Sequence, residues 1–253
     1  MASPMRLLIP ALAMLAPAAV SAQAPPRAPG PAISPAEILL FETDHLAGIK
    51  TPAVLVYQFS KVSNIEAGFR DKIQLDLAGS DGKISATLHF LSGTHKQDIP
   101  ALESARGNPV LLGFLERDIT EMARLTGGSA AYFRKRIRMA LADQAQVSSQ
   151  SITYQGRAVA AQTVRIQPYR HDPMHARFEA YVRKTYTFIV SKQVPGELYQ
   201  LSSSLANGGG ASATASTRVA MRGANANGKA PGSASLPEID ETLTLSSVAY
   251  PEH

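Results

Sequence analysis

The stretch from Gly223 to Lys229, GANANGK, has the glycine and lysine spacing of a phosphate-binding loop. Such a loop holds phosphate with backbone N–H groups and needs a Ser or Thr after the lysine to bind magnesium. Here Ala230 follows the lysine, and Pro231 and Gly232 prevent the helix that must come next. The sequence therefore does not favour a nucleotide site, and we predict no cofactor.

A second candidate for chemistry is HDPMH, which places His171 and His175 four residues apart. On a helix this spacing would give two zinc ligands on one face. Pro173 lies between them and predicts a turn instead, and a third ligand is not evident in the sequence. Histidines elsewhere in the chain could approach in space: His45, His89 and His95. We predict a surface loop here and no metal site.

Nucleophilic and acid–base catalysis have little support. The chain has no cysteine and no G-x-S-x-G elbow. Glu116, Asp118 and Glu121 lie on a predicted helix beside Arg117 and Arg124, and this spacing favours ion pairs on the helix surface over two carboxylates converging in a cleft. We do not favour an enzyme, although a hydrolytic site could still assemble from residues that are distant in sequence.

A basic cluster is the best candidate for binding without catalysis. Arg134, Lys135, Arg136 and Arg138 fall within five consecutive positions, so an anionic group is expected close to them. That group could be a carboxylate of the same chain, a phospholipid headgroup or an acidic partner protein. The internal candidates are Glu116, Asp118 and Asp143. Arg134, Lys135 and Arg138 are the predicted contacts to an anionic group or partner.

Two helices must position these residues. Asn108 is a suitable N-cap for the first helix, Gly127 can end it, and Ser129 can cap the second. Apolar residues recur along both helices at steps of three and four, which predicts an αα-hairpin with one apolar face. The residues of that face that we predict to line a ligand cavity are Leu111, Phe114, Leu115, Ile119, Phe133 and Ile137.

The rest of the chain alternates between apolar and polar residues in short segments, which indicates β-strands with one buried face. Asp81-Gly82 predicts the tight turn of a three-strand antiparallel meander, Gln155-Gly156 a hairpin, and Pro195-Gly196 a further turn. Ser34, Pro35 and Glu37 predict a short capped helix before the first strand. The fold class is α+β, with about eight strands in a curved, half-barrel-like antiparallel sheet packed on the central αα-hairpin.

The N-terminus predicts export. Residues 1–22 combine Arg6, an apolar run interrupted by Pro10 and Pro17, and small residues before a cleavage site near Ala22. This is the pattern of a cleaved signal peptide and predicts a periplasmic protein without a transmembrane anchor after cleavage. We predict a flexible tether at 23–33 and one domain at 34–253 that contains a disordered loop at 206–235. The chain's net charge of +5 does not indicate a nucleic-acid partner.

The order of these elements resembles that of periplasmic lipoprotein carriers of the LolA and LolB type. The shared features are a signal peptide, an N-terminal helix, an antiparallel meander, a central helical insertion and a second meander. The resemblance implies an open barrel that holds acyl chains beneath helices, but it carries no single residue across. The segments ETDHLAG and NPVLLGFLERDITEMARLTGGSAAYFRKRIR are also similar to uncharacterised secreted proteins of proteobacteria.

Three functions are compatible with these observations. The first is a periplasmic, non-enzymatic binding protein that holds a lipid or other acyl-bearing ligand between the sheet and a helical lid. The second is an envelope accessory protein that docks on another protein through its basic helix face or an exposed strand edge. The third is a hydrolase whose site is not visible in the sequence.

Overall fold

A computed structural model of the chain describes residues 32–205 and 236–251. The predicted signal peptide, nearly all of the tether, the predicted disordered loop and the GANANGK stretch lie outside these residues, so the predictions about them stay predictions. From Ile33 onward the described residues belong to one compact unit. No helix among the described residues combines the length and the hydrophobicity that a membrane crossing requires.

The fold is α+β, as the sequence predicts, and is built on one open antiparallel sheet. The strands are β1 (Ala53–Ser63), β2 (Phe69–Ser80), β3 (Lys83–Phe90), β4 (Gln97–Asp98), β5 (Gln146–Tyr154), β6 (Arg157–Ile166), β7 (Thr185–Val190), β8 (Leu198–Leu205) and β9 (Ile239–Ala249). Their order across the sheet is β4-β3-β2-β1-β9-β8-β7-β6-β5. The sequence predicts about eight strands, and the additional one is β4. It has only two residues and therefore no alternating pattern to detect.

The two meanders are joined through the last strand of the chain. β9 pairs with β1 on one side and with β8 on the other. The Tyr199 hydroxyl on β8 donates to the Thr153 carbonyl on β5 at 3.2 Å, which indicates that the sheet bends. Strands three places apart in a flat sheet would be about 14 Å apart. The bend gives the sheet an inner face, which the helices cover.

The helices begin and end where the capping residues predict. α1 (Pro35–Glu37) continues as a π-helical turn (Ile38–Glu42), and Ser34 and Glu37 form the predicted capping box. α2 (Pro109–Thr126) starts at Asn108 and ends at Gly127, whose φ of +68° suits glycine. α3 (Ala130–Asp143) starts at Ser129. The remaining helical turns are short 3₁₀ segments, Gly93–His95, His175–Arg177 and Glu179–Tyr181.

Burial alternates along strands such as β1, β7 and β9, so one face of the sheet meets the helices there and the other meets solvent. On β1, for example, Ala53, Leu55, Tyr57 and Phe59 are buried. α2 approaches β3 closely at Gly113, where a Cβ atom would lie only 2.8 Å from the ring of Phe90. The hydrophobic core is the layer between the inner face of the sheet and the two long helices.

Asn108 ties the start of α2 to the sheet. Its side-chain oxygen accepts from the N–H of Val110 at 3.2 Å, and its amide donates to the Tyr57 hydroxyl at 2.9 Å and to the Gly196 carbonyl at 3.0 Å. The residue is buried, so these groups have no water to replace a lost partner. Asn108 is therefore both a helix cap and a tertiary contact.

We expect Asn108→Ala to lower the free energy of unfolding by about 2–3 kcal/mol, because it removes the cap and leaves buried polar groups unpaired. Ser129→Ala, which removes the exposed cap of α3, should cost only about 1 kcal/mol. Urea denaturation followed by circular dichroism measures both. Equal losses in the two variants would show that the tertiary contacts of Asn108 contribute nothing.

Candidate functional site

All six predicted cavity residues lie on the face of the hairpin that meets the sheet. Leu111, Phe114, Leu115 and Ile119 on α2 and Phe133 and Ile137 on α3 are each buried. They belong to one hydrophobic cluster with the apolar residues of the inner face. In this structure they form closely packed core, so any ligand between sheet and helices must displace some of these contacts.

Four polar residues lie side by side across the inner face. Lys61 on β1 is opposite Glu241 on β9, which is opposite Ser203 on β8, which is opposite Tyr186 on β7. We call these four residues the polar row. Each of them is at most 5 % exposed, so all are removed from water. Because a buried charge is costly unless it is paired, α2 must supply partners.

Asp118 of α2 is the partner of Tyr186 and Ser203, at one end of the polar row. Its carboxylate accepts from the Lys184 ammonium at 2.5 Å, from the Tyr186 hydroxyl at 2.5 Å and from the Ser203 hydroxyl at 3.0 Å. The Tyr186 hydroxyl also lies 3.0 Å from that of Tyr169. Asp118 is 0 % exposed. The interpretation of Asp118 as part of a helix-surface ion pair, or as a partner for the basic cluster, is therefore wrong.

The other end of the row has its own ion pairs. Arg117 contacts Glu241 at 2.6 Å and stacks on the ring of Phe59 at 4.8 Å. Lys61 contacts Glu66, Glu121 at 2.9 Å and Glu241 at 3.4 Å. Arg124 forms a bidentate ion pair with Glu121, at 2.9 and 2.7 Å, which agrees with the predicted helix-surface pair.

The charges around the row balance. Four cations, Lys61, Arg117, Arg124 and Lys184, meet four carboxylates, Glu66, Asp118, Glu121 and Glu241.

The pKa values follow from these contacts. The hydrogen bond from Arg124, helped by Lys61, holds the pKa of Glu121 well below its usual range despite partial burial. Burial alone would lower the pKa of Lys61, but the hydrogen bonds to Glu66 and Glu121 outweigh it and raise that pKa. Burial, reinforced by the charge of Asp118, raises the pKa of Tyr186 and of Tyr169 far above normal. Near neutral pH the carboxylate of Glu121 and the ammonium of Lys61 are therefore charged, and both tyrosines are protonated.

The cluster of Asp118, Lys184, Tyr186 and Ser203 contains groups that enzymes use for acid–base and nucleophilic chemistry. Each of the four residues is at most 1 % exposed. The Ser203 hydroxyl is buried in this structure, and it donates to Asp118 and so is held in place. The arrangement is a structural support for α2.

The basic cluster separates into paired and unpaired residues. Arg134 forms a bidentate ion pair with Glu116, with N···O distances of 2.8 and 2.6 Å. Glu116 is one of the internal partners that the sequence suggests. Arg136 lies 2.7 Å from the buried carboxylate of Asp172, which also accepts from the Tyr132 hydroxyl at 2.5 Å. Burial and Asp172 raise the pKa of Tyr132 to about 12.

The two remaining cations of the cluster face solvent. Lys135 and Arg138 are exposed, and neither has an ion-pair partner within the described part of the chain.

The predicted turn around His171 and His175 is confirmed. His175 contacts the Asp172 carbonyl through Nδ1 at 2.8 Å and begins a 3₁₀ turn. Among residues 32–205 and 236–251, no three His, Cys, Asp or Glu side chains come together in a way that could hold a metal ion.

Two clefts open on the surface of the described part of the chain. The first has a volume of about 480 Å³ and lies where α3 and β6 end; its lining is Gln144, Gln146, Arg165, Ile166, Gln167, Arg170 and His171. The second, of about 220 Å³, lies beside the β7–β8 turn and includes His45, Lys192, Glu197 and Tyr250. Neither is lined by any of the six predicted cavity residues.

Comparison with known proteins does not assign this chain to a family. No model of a known family matches the chain, and no curated protein matches it. Among solved structures, the chain is similar to lipoprotein LppX of Mycobacterium tuberculosis, with 10% sequence identity over 83% of this chain and 92% of that one. The TM-score is 0.31. A likeness of this size carries no functional argument, and membership of a secreted proteobacterial family stays a prediction.

The buried pair between Asp118 and Lys184 generates a test by double-mutant cycle. We expect Asp118→Leu and Lys184→Met each to lower the free energy of unfolding by about 3–5 kcal/mol, because each leaves an unpaired buried charge. The double variant should lose clearly less than the sum of the two, since it leaves neither charge. Urea denaturation measures all three.

The exposed pair between Glu116 and Arg134 is the matched control, because it also involves α2. The cycle Glu116→Gln and Arg134→Gln should give a coupling below about 1 kcal/mol. A coupling for Asp118 and Lys184 that is no larger than this control would show that the buried pair does not hold α2 on the sheet.

Proposed function

We propose that this protein is a periplasmic, non-enzymatic binding protein for a lipid or another acyl-bearing ligand, held between the sheet and its helical cover. The observation that carries the proposal is the inner face of the open sheet, a wide and, outside the polar row, largely apolar surface whose cover in the described part of the chain is mainly one αα-hairpin. A surface of this kind suits an acyl chain, because burial of each methylene group contributes about 0.8 kcal/mol.

The ligand enters beneath α3, since the two helices are held differently. α2 is fixed by buried ion pairs of Arg117, Asp118 and Glu121 with the sheet and its loops. α3 meets the inner face mainly through apolar contacts of Phe133 and Ile137. Replacing apolar side-chain contacts by an acyl chain exchanges like for like, whereas lifting α2 would expose paired charges to hydrocarbon.

Phe133 belongs to a group of rings that an acyl chain could reach under α3. Its ring packs edge-on against Tyr169 and Phe178, at centroid distances of 5.6 and 5.7 Å. On the α3 side, Arg136 and Tyr132 contact Asp172, and near the end of the helix the Leu141 carbonyl accepts from the Ser34 hydroxyl at 2.9 Å. The contact at Leu141 is a single neutral hydrogen bond, which is weaker than the charged contacts of Asp172, so we place the entry at the end of α3, beyond Ile137.

A second function, docking on an envelope protein, is favoured by the outer face of the hairpin. Lys135 and Arg138 are exposed there without an ion-pair partner among the described residues. Arg134, which pairs with Glu116 of α2, is one turn before Arg138 on α3, and Glu116 is one turn after Leu112 on α2. Leu112 and Met139 are large exposed apolar residues, 54% and 40% exposed. This mixed surface suits a partner that is acidic and partly apolar.

Binding of an acyl ligand is tested on protein purified from an exporting bacterial host. Native mass spectrometry should detect a co-purified lipid, and the delipidated protein should bind a fluorescent fatty acid. We expect Ile137→Ala to lower the free energy of unfolding by about 2–5 kcal/mol and to tighten acyl binding, by about fourfold for each methylene that fills the new space.

Leu46→Ala is the control for this experiment, because Leu46 is equally buried but lies in the loop before β1. It should lose similar stability and leave acyl affinity unchanged. If neither a co-purified ligand nor probe binding is found, or if both variants change the affinity alike, the acyl-binding proposal fails.

Docking predicts a different pattern. Lys135→Glu with Arg138→Glu should abolish cross-linking of the protein to an acidic envelope partner, by reversing the charge of the surface, and should leave acyl-probe affinity unchanged. Arg157→Glu with Arg183→Glu makes the same change in net charge at two other exposed arginines and should leave cross-linking intact. Loss in both double variants would indicate a response to net charge alone.

A further inference from the structure

The larger cleft, which we call the arginine cleft, is formed where three segments of the chain meet. Gln144 follows α3, Gln146 begins β5, and Arg165 to His171 comprise the end of β6 and the loop after it. Its volume of about 480 Å³ is within the range of small-molecule sites. No part of the function proposed above assigns a role to these residues.

The lining of the cleft has the composition of an anion site. Arg165 and Arg170 supply two guanidinium groups, three glutamines supply amide N–H donors, and no carboxylate belongs to the lining. A guanidinium group matches the oxygens of a phosphate geometrically, and it stays charged at every physiological pH. The cleft therefore concentrates positive charge and donors, and lacks carboxylates that would repel an anion.

The two arginines are also available for a ligand. Most arginines near the helices are already paired, such as Arg117 with Glu241 and Arg134 with Glu116. Arg165 and Arg170 are exposed and have no ion-pair partner among the described residues. Within the described residues the Arg170 guanidinium group donates one hydrogen bond, to the Gln167 side chain at 3.2 Å, and its other N–H groups have no protein acceptor there.

The carboxylate closest in the chain to the cleft loop is engaged elsewhere. Asp172 follows His171, but it is buried and holds Arg136 and Tyr132. Asp143, at the end of α3, is exposed and lies outside the lining. Neither carboxylate forms an ion pair with Arg165 or Arg170 in the described part of the chain.

The base of the cleft reaches the apolar interior. Ile166, which lines it, is buried and belongs to the hydrophobic core beneath α3. Ile166 pairs with Tyr186 at the end of the polar row, so one residue of the lining is next to the inner face. An anionic group bound here would lie beside the place where we propose that an acyl chain enters.

We propose that the arginine cleft binds a phosphate group, either of a phospholipid headgroup or of a free phosphate or phosphate monoester. The inference deepens the proposed function, and for the acyl part of the ligand it rests on it. Arg165 and Arg170 donate to the phosphate oxygens, and the glutamine amides complete the donor set. A ligand bound by both sites would be an anionic phospholipid, with its head in the cleft and one chain beneath α3.

The test is isothermal titration calorimetry of the full chain with three probes. Inorganic phosphate measures the cleft alone, short-chain phosphatidic acid below its micellar concentration measures head and chain together, and a fatty-acid methyl ester measures the chain alone. We expect Arg165→Gln with Arg170→Gln to weaken binding of both phosphate-bearing probes by at least tenfold, with the methyl ester unaffected. Tenfold corresponds to about 1.4 kcal/mol, less than two charge-assisted hydrogen bonds supply.

Arg157→Gln with Arg183→Gln is the matched control, because it removes the same charge at two exposed positions outside the cleft. It should change the affinity for each probe less than twofold. The inference is overturned if the cleft variant binds both phosphate-bearing probes like the wild type, or if the control loses as much as the cleft variant. Circular dichroism of both variants checks that they are folded.

The probes also distinguish the source of the phosphate and the two proposals. Tighter binding of phosphatidic acid than of inorganic phosphate supports a lipid headgroup, and equal binding supports a free phosphate or monoester. Phosphate binding without methyl-ester binding would sustain the cleft and overturn the acyl site. Suppose instead that the methyl ester binds, inorganic phosphate does not, and phosphatidic acid binds no more tightly than the methyl ester. This result would sustain the acyl site and overturn the cleft.

Discussion

The placement of α2 over charged residues of the sheet is the constraint on which the rest of the structure depends. Lys61 and Glu241 occupy inward positions of adjacent central strands, so folding removes both from water. Unpaired, each would cost several kcal/mol. Arg117, Asp118 and Glu121 complete the pairing only when α2 lies at one height along the sheet. Apolar contacts alone would tolerate sliding of the helix, whereas these polar contacts fix its position.

This constraint makes the two halves of the helical cover unequal. Beneath α2 the charges are balanced and sealed, and the helix serves as part of the frame. Beneath α3 the contact surface is apolar and aromatic, around Phe133 and Ile137, and the polar contacts of the helix are those to Asp172 and one hydrogen bond from Ser34 to its end. Apolar packing is less directional than buried ion pairing, so α3 is the part of the cover that can accept a different apolar partner at lower cost.

Local patterns in the sequence predicted the elements well and the charged interface poorly. Alternation gave the strands, and Asn108, Gly127 and Ser129 gave the helix ends, because these signals act over a few residues. Asp118 was misjudged because its partners Lys184, Tyr186 and Ser203 are 66 to 85 residues away. A signal was present: Asp118 is three residues after Leu115 and four before Met122, on the buried stripe of α2. Glu241 likewise lies two residues after Ile239 and two before Leu243, on the buried face of β9.

The distribution of unpaired charge links the two proposed sites. The ion pairs around α2 neutralise one another, so the positive net charge, +4 once Arg6 is removed with the predicted signal peptide, comes from other parts of the chain. Arg138 is six residues before Gln144 at the cleft, or about 9 Å along a helix. The unpaired Arg138 therefore lies near the end of α3 at which the arginine cleft begins. An anionic amphiphile that approaches this side meets positive charge first and the apolar edge at Ile166 next, in the order that its headgroup and its chain require.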